Sequence, residues 1–250
     1  WTWTMVLPPE MIMATIRGDL GALQTFLDQH PERVDDVADE ADPMAHRTMS
    51  QIAFMCVTNR DHGVSPRGAA QIMRLLLSRG ADPNHSGEDD TTNLLGEACI
   101  SVWSEGVEIL LQAGADLNLT CCPTGDGEES HALSLLLCPY WLQDDPMGRT
   151  PVEVVHDMRK CVELLLRNGA PLDFLCMGTM RSLESQVQLM VFNGEDAVSV
   201  NSALLDVLDL ATAVRAAQST STSARLTPWQ MYCLAPPKDL LRLRSLVARG

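Results

Sequence analysis

The side chains able to do chemistry are scattered along this chain. Six histidines stand at His30, His46, His62, His85, His131 and His156. No two are four residues apart, the spacing that puts two zinc ligands on one helix face. Asp61 and His62, beside Arg60, come nearest to an acid–base pair, and in a polar loop such a pair is ordinarily just solvated. The Gly-x-Ser-x-Gly elbow, the P-loop and the Gly-x-Gly-x-x-Gly phosphate cradle are all absent. Eight cysteines (Cys56, Cys99, Cys121, Cys122, Cys138, Cys161, Cys176 and Cys233) include no Cys-x-x-Cys pair. Several fall on apolar helix faces, where a free thiol behaves as a small hydrophobe. The expectation is a chain with no catalytic centre, metal or cofactor, kept in a reducing cytoplasmic or nuclear compartment. In that compartment the glycosylation patterns at Asn84-His85-Ser86 and Asn118-Leu119-Thr120 are coincidental.

Charge is the stronger signal. The net formal charge is −15, and residues 1–125 carry 18 acidic against 7 basic side chains. The acids crowd into three places: Asp35, Asp36, Asp39, Glu40 and Asp42; then Glu88, Asp89 and Asp90; then Asp126, Glu128 and Glu129. A phosphate backbone needs a basic surface, so nucleic acid is excluded as a partner. The acids either keep an apolar stack soluble or steer a basic protein partner by their summed field.

The elements that position these acids are legible from self-similarity. Gln71–Asn84 (QIMRLLLSRGADPN), Gly106–Asn118 (GVEILLQAGADLN) and Lys160–Asp173 (KCVELLLRNGAPLD) each read as a leucine-rich amphipathic helix stopped by Gly-Ala. Gly80 and Gly114 are 34 residues apart, and Gly169 follows 55 residues later. Those glycines suit a left-handed helix exit. Asp82 and Asn84 then suit a tight polar turn.

These motifs resemble the second helix and exit turn of an ankyrin repeat. Weaker first-helix signals precede them at Thr48–Ala53, Thr92–Ala98 and His131–Leu135, and Thr227-Pro228-Trp229-Gln230 opens another. The resemblance implies an all-α solenoid of stacked helix pairs joined by hairpin-like turns. We place repeats at 8–38, 47–84, 91–118, 131–173 with an insertion at 139–157, a divergent repeat at 180–217, and a truncated one at 227–250. A second inter-helix insertion covers Asn59–Arg67. The chain starts at Trp1 and stops at Gly250, where Ala-Asp would come next, so we expect a piece of a longer protein.

What the resemblance implies for function is protein–protein recognition through hairpin fingers and a concave helix surface. The expected contact residues are Asp39, Glu40, Asp42, Glu88, Asp89, Asp90, Asp126, Glu128 and Glu129. Tyr140 and Trp141, in the longer insertion, either serve as secondary anchors or fold back over the stack. Asn84 and Asn118 match the asparagines hydroxylated in this family, or serve only the turn. An alternative is a substrate-recruiting module of a larger enzyme, a ubiquitin ligase or kinase, whose catalytic domain lies elsewhere. No apolar run approaches the ~18–20 residues of a membrane span, the longest candidate, Ala132–Leu142, being interrupted by Pro139.

Overall fold

The computed structural model describes residues 6–58, 65–86, 92–122, 128–137, 145, 147–190 and 197–221, the last stretch with side chains through 216. Its elements follow in pairs: α1 Pro9–Arg17 and α2 Leu20–Gln29; α3 Met49–Thr58 and α4 Pro66–Ser78; α5 Leu94–Ile100 and α6 Ser104–Gln112; α7 Ala132–Leu136 and α8 Pro151–Arg167; α9 Leu183–Gln188 and α10 Ala197–Ser221. Two short hairpins, β1 Thr120–Cys121 with β2 Ser130–His131 and β3 Asp173–Cys176 with β4 Thr179–Ser182, are antiparallel. Isolated bridges, Val37 to Thr48 and Ser86 to Asn93, mark the same hairpin position between the earlier pairs.

Local chemistry explains each boundary. Asp19 caps α2 by accepting from the Ala22 amide, Ser65 caps α4 at Gly68, and Asn93 caps α5 at Gly96. At the other end, Gly80, Gly114 and Gly169 follow α4, α6 and α8 with φ of 92°, 89° and 94°. A methyl group there would meet nothing within 4 Å, so these glycines serve backbone conformation and not space. Gly80 donates to the Leu77 carbonyl and Ala81 to the Leu76 carbonyl, closing the orphan acceptors of the helix end. Gly106 has the opposite reason: a Cβ there would lie 2.2 Å from Cε3 of Trp103.

The pairs stack into two rows. α1, α3, α5 and α7 pack successively as an inner row, and α2, α4, α6, α8 and α10 as an outer row. The buried core runs unbroken from Leu23 and Leu27 through Ile52, Ile72, Leu76, Leu95, Leu110, Leu136 and Leu165 to Leu204. Each interface of the outer row also carries an ion pair. Arg79 meets Asp28 at 2.6 Å, Arg74 meets Glu105 at 2.9 Å, Lys160 meets Glu108 at 3.9 Å, and Arg159 meets Asp206 at 3.1 Å.

Two expectations are corrected. The insertion placed at 139–157 is shorter, because residues 151–157 form the first turns of α8. Thr150 caps that helix with Glu153 in a reciprocal capping box and Pro151 at its first position. Thr-Pro therefore signals a helix start without saying which helix starts. Likewise Pro66 and Arg67, assigned to the first insertion, open α4. The second correction concerns α10, whose stretch Ala197–Ala216 is long and apolar enough to cross a membrane by length and composition. Asp206 and Asp209 interrupt it, which is why no continuous apolar run shows in the sequence. Val200, Leu204, Val207, Leu208 and Ala211 are buried, and through this face α10 packs on α8 and α9 as a helix of the outer row.

Candidate recognition surface

The turns that follow the outer helices lie side by side and are tied to one another. The Asp35 carboxylate accepts from the Asp82 amide of the next turn at 3.1 and 3.2 Å. Asn84 Oδ1 accepts from the Asp116 amide of the turn after that, at 2.7 Å. Within each turn an aspartate holds the loop: Asp82 Oδ1 accepts from the Asn84 amide, and Asp116 Oδ1 from the Asn118 amide, each at 2.9 Å. At the next step the corresponding position is Pro171, which has no amide hydrogen. Asn118 there turns its own Nδ2 back to Asp116 Oδ1, 3.0 Å away, and stays exposed where Asn84 is half-buried.

A different set of bonds takes over at that point. His131 Nδ1 accepts from the Leu175 amide, Ser130 Oγ from the Met177 amide, and the Glu129 carbonyl from the Gly178 amide, all at 2.9 Å. The accepting Nδ1 carries no proton, so His131 is the Nε2–H tautomer. These bonds hold the tip of β3–β4, where Met177 takes a left-handed φ of 48° followed by Gly178 at 67°. Met177 and Met180 are exposed on that hairpin. The hairpin edge is thus a cross-linked row rather than a set of independent loops.

The expected contact residues distribute along this row. Asp39 Oδ1 accepts from the Ala41 amide at 2.9 Å and Asp42 Oδ1 from the Met44 amide at 2.8 Å, so both aspartates also build the first hairpin. Glu40 is exposed beside them, and Glu128 and Glu129 are exposed on the third hairpin. Glu88, Asp89, Asp90, Asp126, Tyr140 and Trp141 lie outside the described residues. Among the described residues no ion pair involves Asp35, Asp39, Glu40, Asp42, Asp82, Asp116 or Glu129. Burial pushes the Asp35 carboxyl above its ordinary value, and the charges of Asp82 and Asp36 add to this against the Asp82 hydrogen bond.

Two features of this surface have no motif. Between α3 and α5, on the inner row, a small open depression is lined by Arg47, Phe54, Met55, Thr92, Leu94 and Glu97, with Gln51 and Asn93. Beyond it, Arg149 clamps the turn between α5 and α6. Its guanidinium pairs with Asp145 at 2.6 Å and Asp157 at 2.8 Å, and donates to the carbonyls of Ser101 and Val102. Burial alone would lower its pKa, but Asp145 and Asp157 outweigh this and hold the charge more firmly. No sequence signal marked either feature, because each joins residues from different repeats.

His30 and Glu32 approach to 3.8 Å on an exposed turn, and among the described residues no group of three His, Cys, Asp or Glu could hold a metal. Cys99, Cys121 and Cys161 are buried free thiols of the core. Desolvation raises all three thiols above their ordinary value, Cys99 and Cys161 the furthest.

No protein-family model matches the chain, and no curated protein matches it. Among solved structures it is similar to the crystal structure of the human ASB11 ankyrin repeat domain. The identity is 19%, the TM-score 0.42, and the match covers 96% of this chain and 98% of that one. On its own order of helix pairs, glycine exits and hairpins, the chain is an all-α solenoid of stacked helix pairs.

Proposed function

We propose that the chain is a protein-recognition module that engages a basic segment of a partner along the hairpin edge and the adjoining inner-row face. One observation carries this reading. Arg74, Arg79, Arg159 and Lys160 of the outer row are each matched to an acid of the neighbouring helix, whereas Asp39, Glu40, Asp42 and Glu129 of the hairpin edge form no ion pair among the described residues. Packed helices sit ~8–10 Å apart, about one Debye length at physiological salt. The fields of successive hairpins therefore add, and a basic segment is drawn to the edge. The hydrogen bonds between turns support the same reading, since a surface already ordered before contact loses little entropy on binding.

The test uses a fluorescein-labelled Lys/Arg-rich peptide and an acidic peptide of equal length. Replacing Asp39, Glu40, Asp42, Glu128 and Glu129 by Asn or Gln keeps the acceptors that build the hairpins while removing charge. The basic peptide is expected to bind preferentially, to weaken with salt, and to lose most of its association rate on the neutralised protein. Binding that ignores both salt and the substitutions would sink the reading. Placement in a reducing compartment, and service as the recruiting module of a larger enzyme, belong to the same proposal. The sequence flanking residues 1–250 decides the latter.

A further inference from the structure

The β3–β4 hairpin turns through two residues, Met177 and Gly178, between the paired Cys176 and Thr179. Both carry left-handed φ, 48° and 67°, as a type I′ turn requires. Glycine or asparagine takes that conformation cheaply, and methionine only at a cost. The bond from the Met177 amide to Ser130 Oγ uses the backbone alone, so it would serve asparagine equally. Nor does this methionine fill the core, since it is 54% exposed. The chain thus holds an apolar side chain in water at a position where it also strains the backbone, and neither the turn nor the packing accounts for it. Met180 adds to the same tip. Phe174 is fully buried and pairs with Arg181, whereas Leu175 pairs with Met180. Side chains alternate along a strand, so Leu175 and Met180 share the face turned away from the core, and Met180 is 62% exposed. Acids stand beside this tip. The Glu129 carbonyl accepts from the Gly178 amide at 2.9 Å, and a Cβ on Gly178 would lie 4.0 Å from Glu128 Cγ. Both glutamates are exposed. An apolar tip beside two carboxylates is complementary to an apolar side chain next to a cation.

We propose that Met177 and Met180 are the apolar anchor point for the basic partner segment. A Leu, Met or Phe of that segment packs on the two methionines while an adjoining Lys or Arg faces Glu128 and Glu129. Unbranched, polarisable methionine adapts to several apolar side chains, so the tip selects apolar character next to positive charge and not one particular shape. This rests on the recognition reading above and adds to it: the acidic edge draws a basic segment in, and the methionines set which basic segments stay.

The experiment compares two fluorescein-labelled Lys/Arg-rich peptides, one carrying two leucines and the other serines in their place. Affinities are read by fluorescence anisotropy on the wild type, Met177→Asn, Met180→Thr and the double variant, each also melted by circular dichroism. Asparagine takes the left-handed turn position more readily, so Met177→Asn is expected to raise the melting temperature by about 2–4 °C, and weaker binding by it cannot be put down to unfolding. The leucine peptide is expected to bind the wild type about tenfold more tightly than the serine peptide. On the double variant that advantage is expected to vanish, while both peptides keep the affinity of the serine peptide for the wild type. Equal binding of the two peptides to the wild type, or an advantage that survives in the double variant, would overturn the anchor and leave the recognition reading standing. Failure of both peptides to bind the wild type would overturn both.

Discussion

Asp35 sits where two effects oppose each other. It accepts the Asp82 amide as a carboxylate, yet burial and the nearby Asp36 and Asp82 charges penalise that ionised form, and the penalty prevails. A carboxyl whose folded pKa is raised binds its proton more tightly in the native state. Its contribution to stability is therefore fully present below the unfolded value of about 3.9 and is lost as pH rises through the folded one. Asp35→Asn keeps an acceptor for the Asp82 amide without the charge. It should be at least as stable as wild type at pH 7, the difference closing as the pH is lowered through the raised pKa. Asp35→Ala, which loses the acceptor, should cost about 1 kcal/mol. Denaturant titrations at several pH values check both. Ser50 offers a simpler case: it is 1% exposed, and its Oγ has no hydrogen-bond partner among the described residues. A buried hydroxyl left without a partner costs about 1–3 kcal/mol, so Ser50→Ala should raise the melting temperature.

At the scale of elements, the turn between α5 and α6 carries backbone strain. Val102 adopts φ +50°, a conformation that costs a β-branched residue about 1–3 kcal/mol. Gly18 makes the same backbone bonds between α1 and α2, and there no strain arises. What holds Val102 is burial of its side chain together with Arg149, which takes the carbonyls of Ser101 and of Val102 itself. Arg149→Met removes one partner of a buried charge cluster, and Asp145 is itself 8% exposed. The expected loss is about 3–5 kcal/mol, read as a lower denaturation midpoint. The row of turns gives a graded prediction. Asn84→Ala breaks a bond between repeats and should cost about 1 kcal/mol. Asn118→Ala removes only an exposed bond within its own turn and should change stability by less than about 0.5 kcal/mol, because Pro171 has already interrupted the ladder there. Parallel chemical melts of the two variants, compared with wild type, give both values.

The whole molecule is a one-dimensional stack in which each pair leans mainly on its neighbours. Its charges divide by location. Outer-row ion pairs are solvent-exposed and worth about 0–1 kcal/mol each, so stability rests on the continuous leucine core. Raising salt to about 1 M, where the screening length falls to ~3 Å, should therefore move the melting temperature little while it weakens capture of the basic peptide strongly. A melt and an anisotropy titration in the same buffers separate the two. Equal sensitivity of both would show that the charges serve the stack and not a partner.

The repeated leucines with their Gly-Ala exits made the strong helix pairs, their order and the all-α solenoid legible in the sequence itself, because a helix exit through left-handed glycine is a local property written in adjacent residues. The crowding of acids into the turns was equally legible, being composition at a known place in a repeat. Tertiary structure alone decided the rest. It moved Thr150-Pro151 from an insertion to the start of α8, since a capping box looks the same at the head of either helix of a pair. It brought Arg149 onto a turn 47 residues away in sequence. It also set Arg47 and Glu97 around one depression. Contacts between repeats depend on which faces the stack turns toward one another, and no spacing along the chain encodes that.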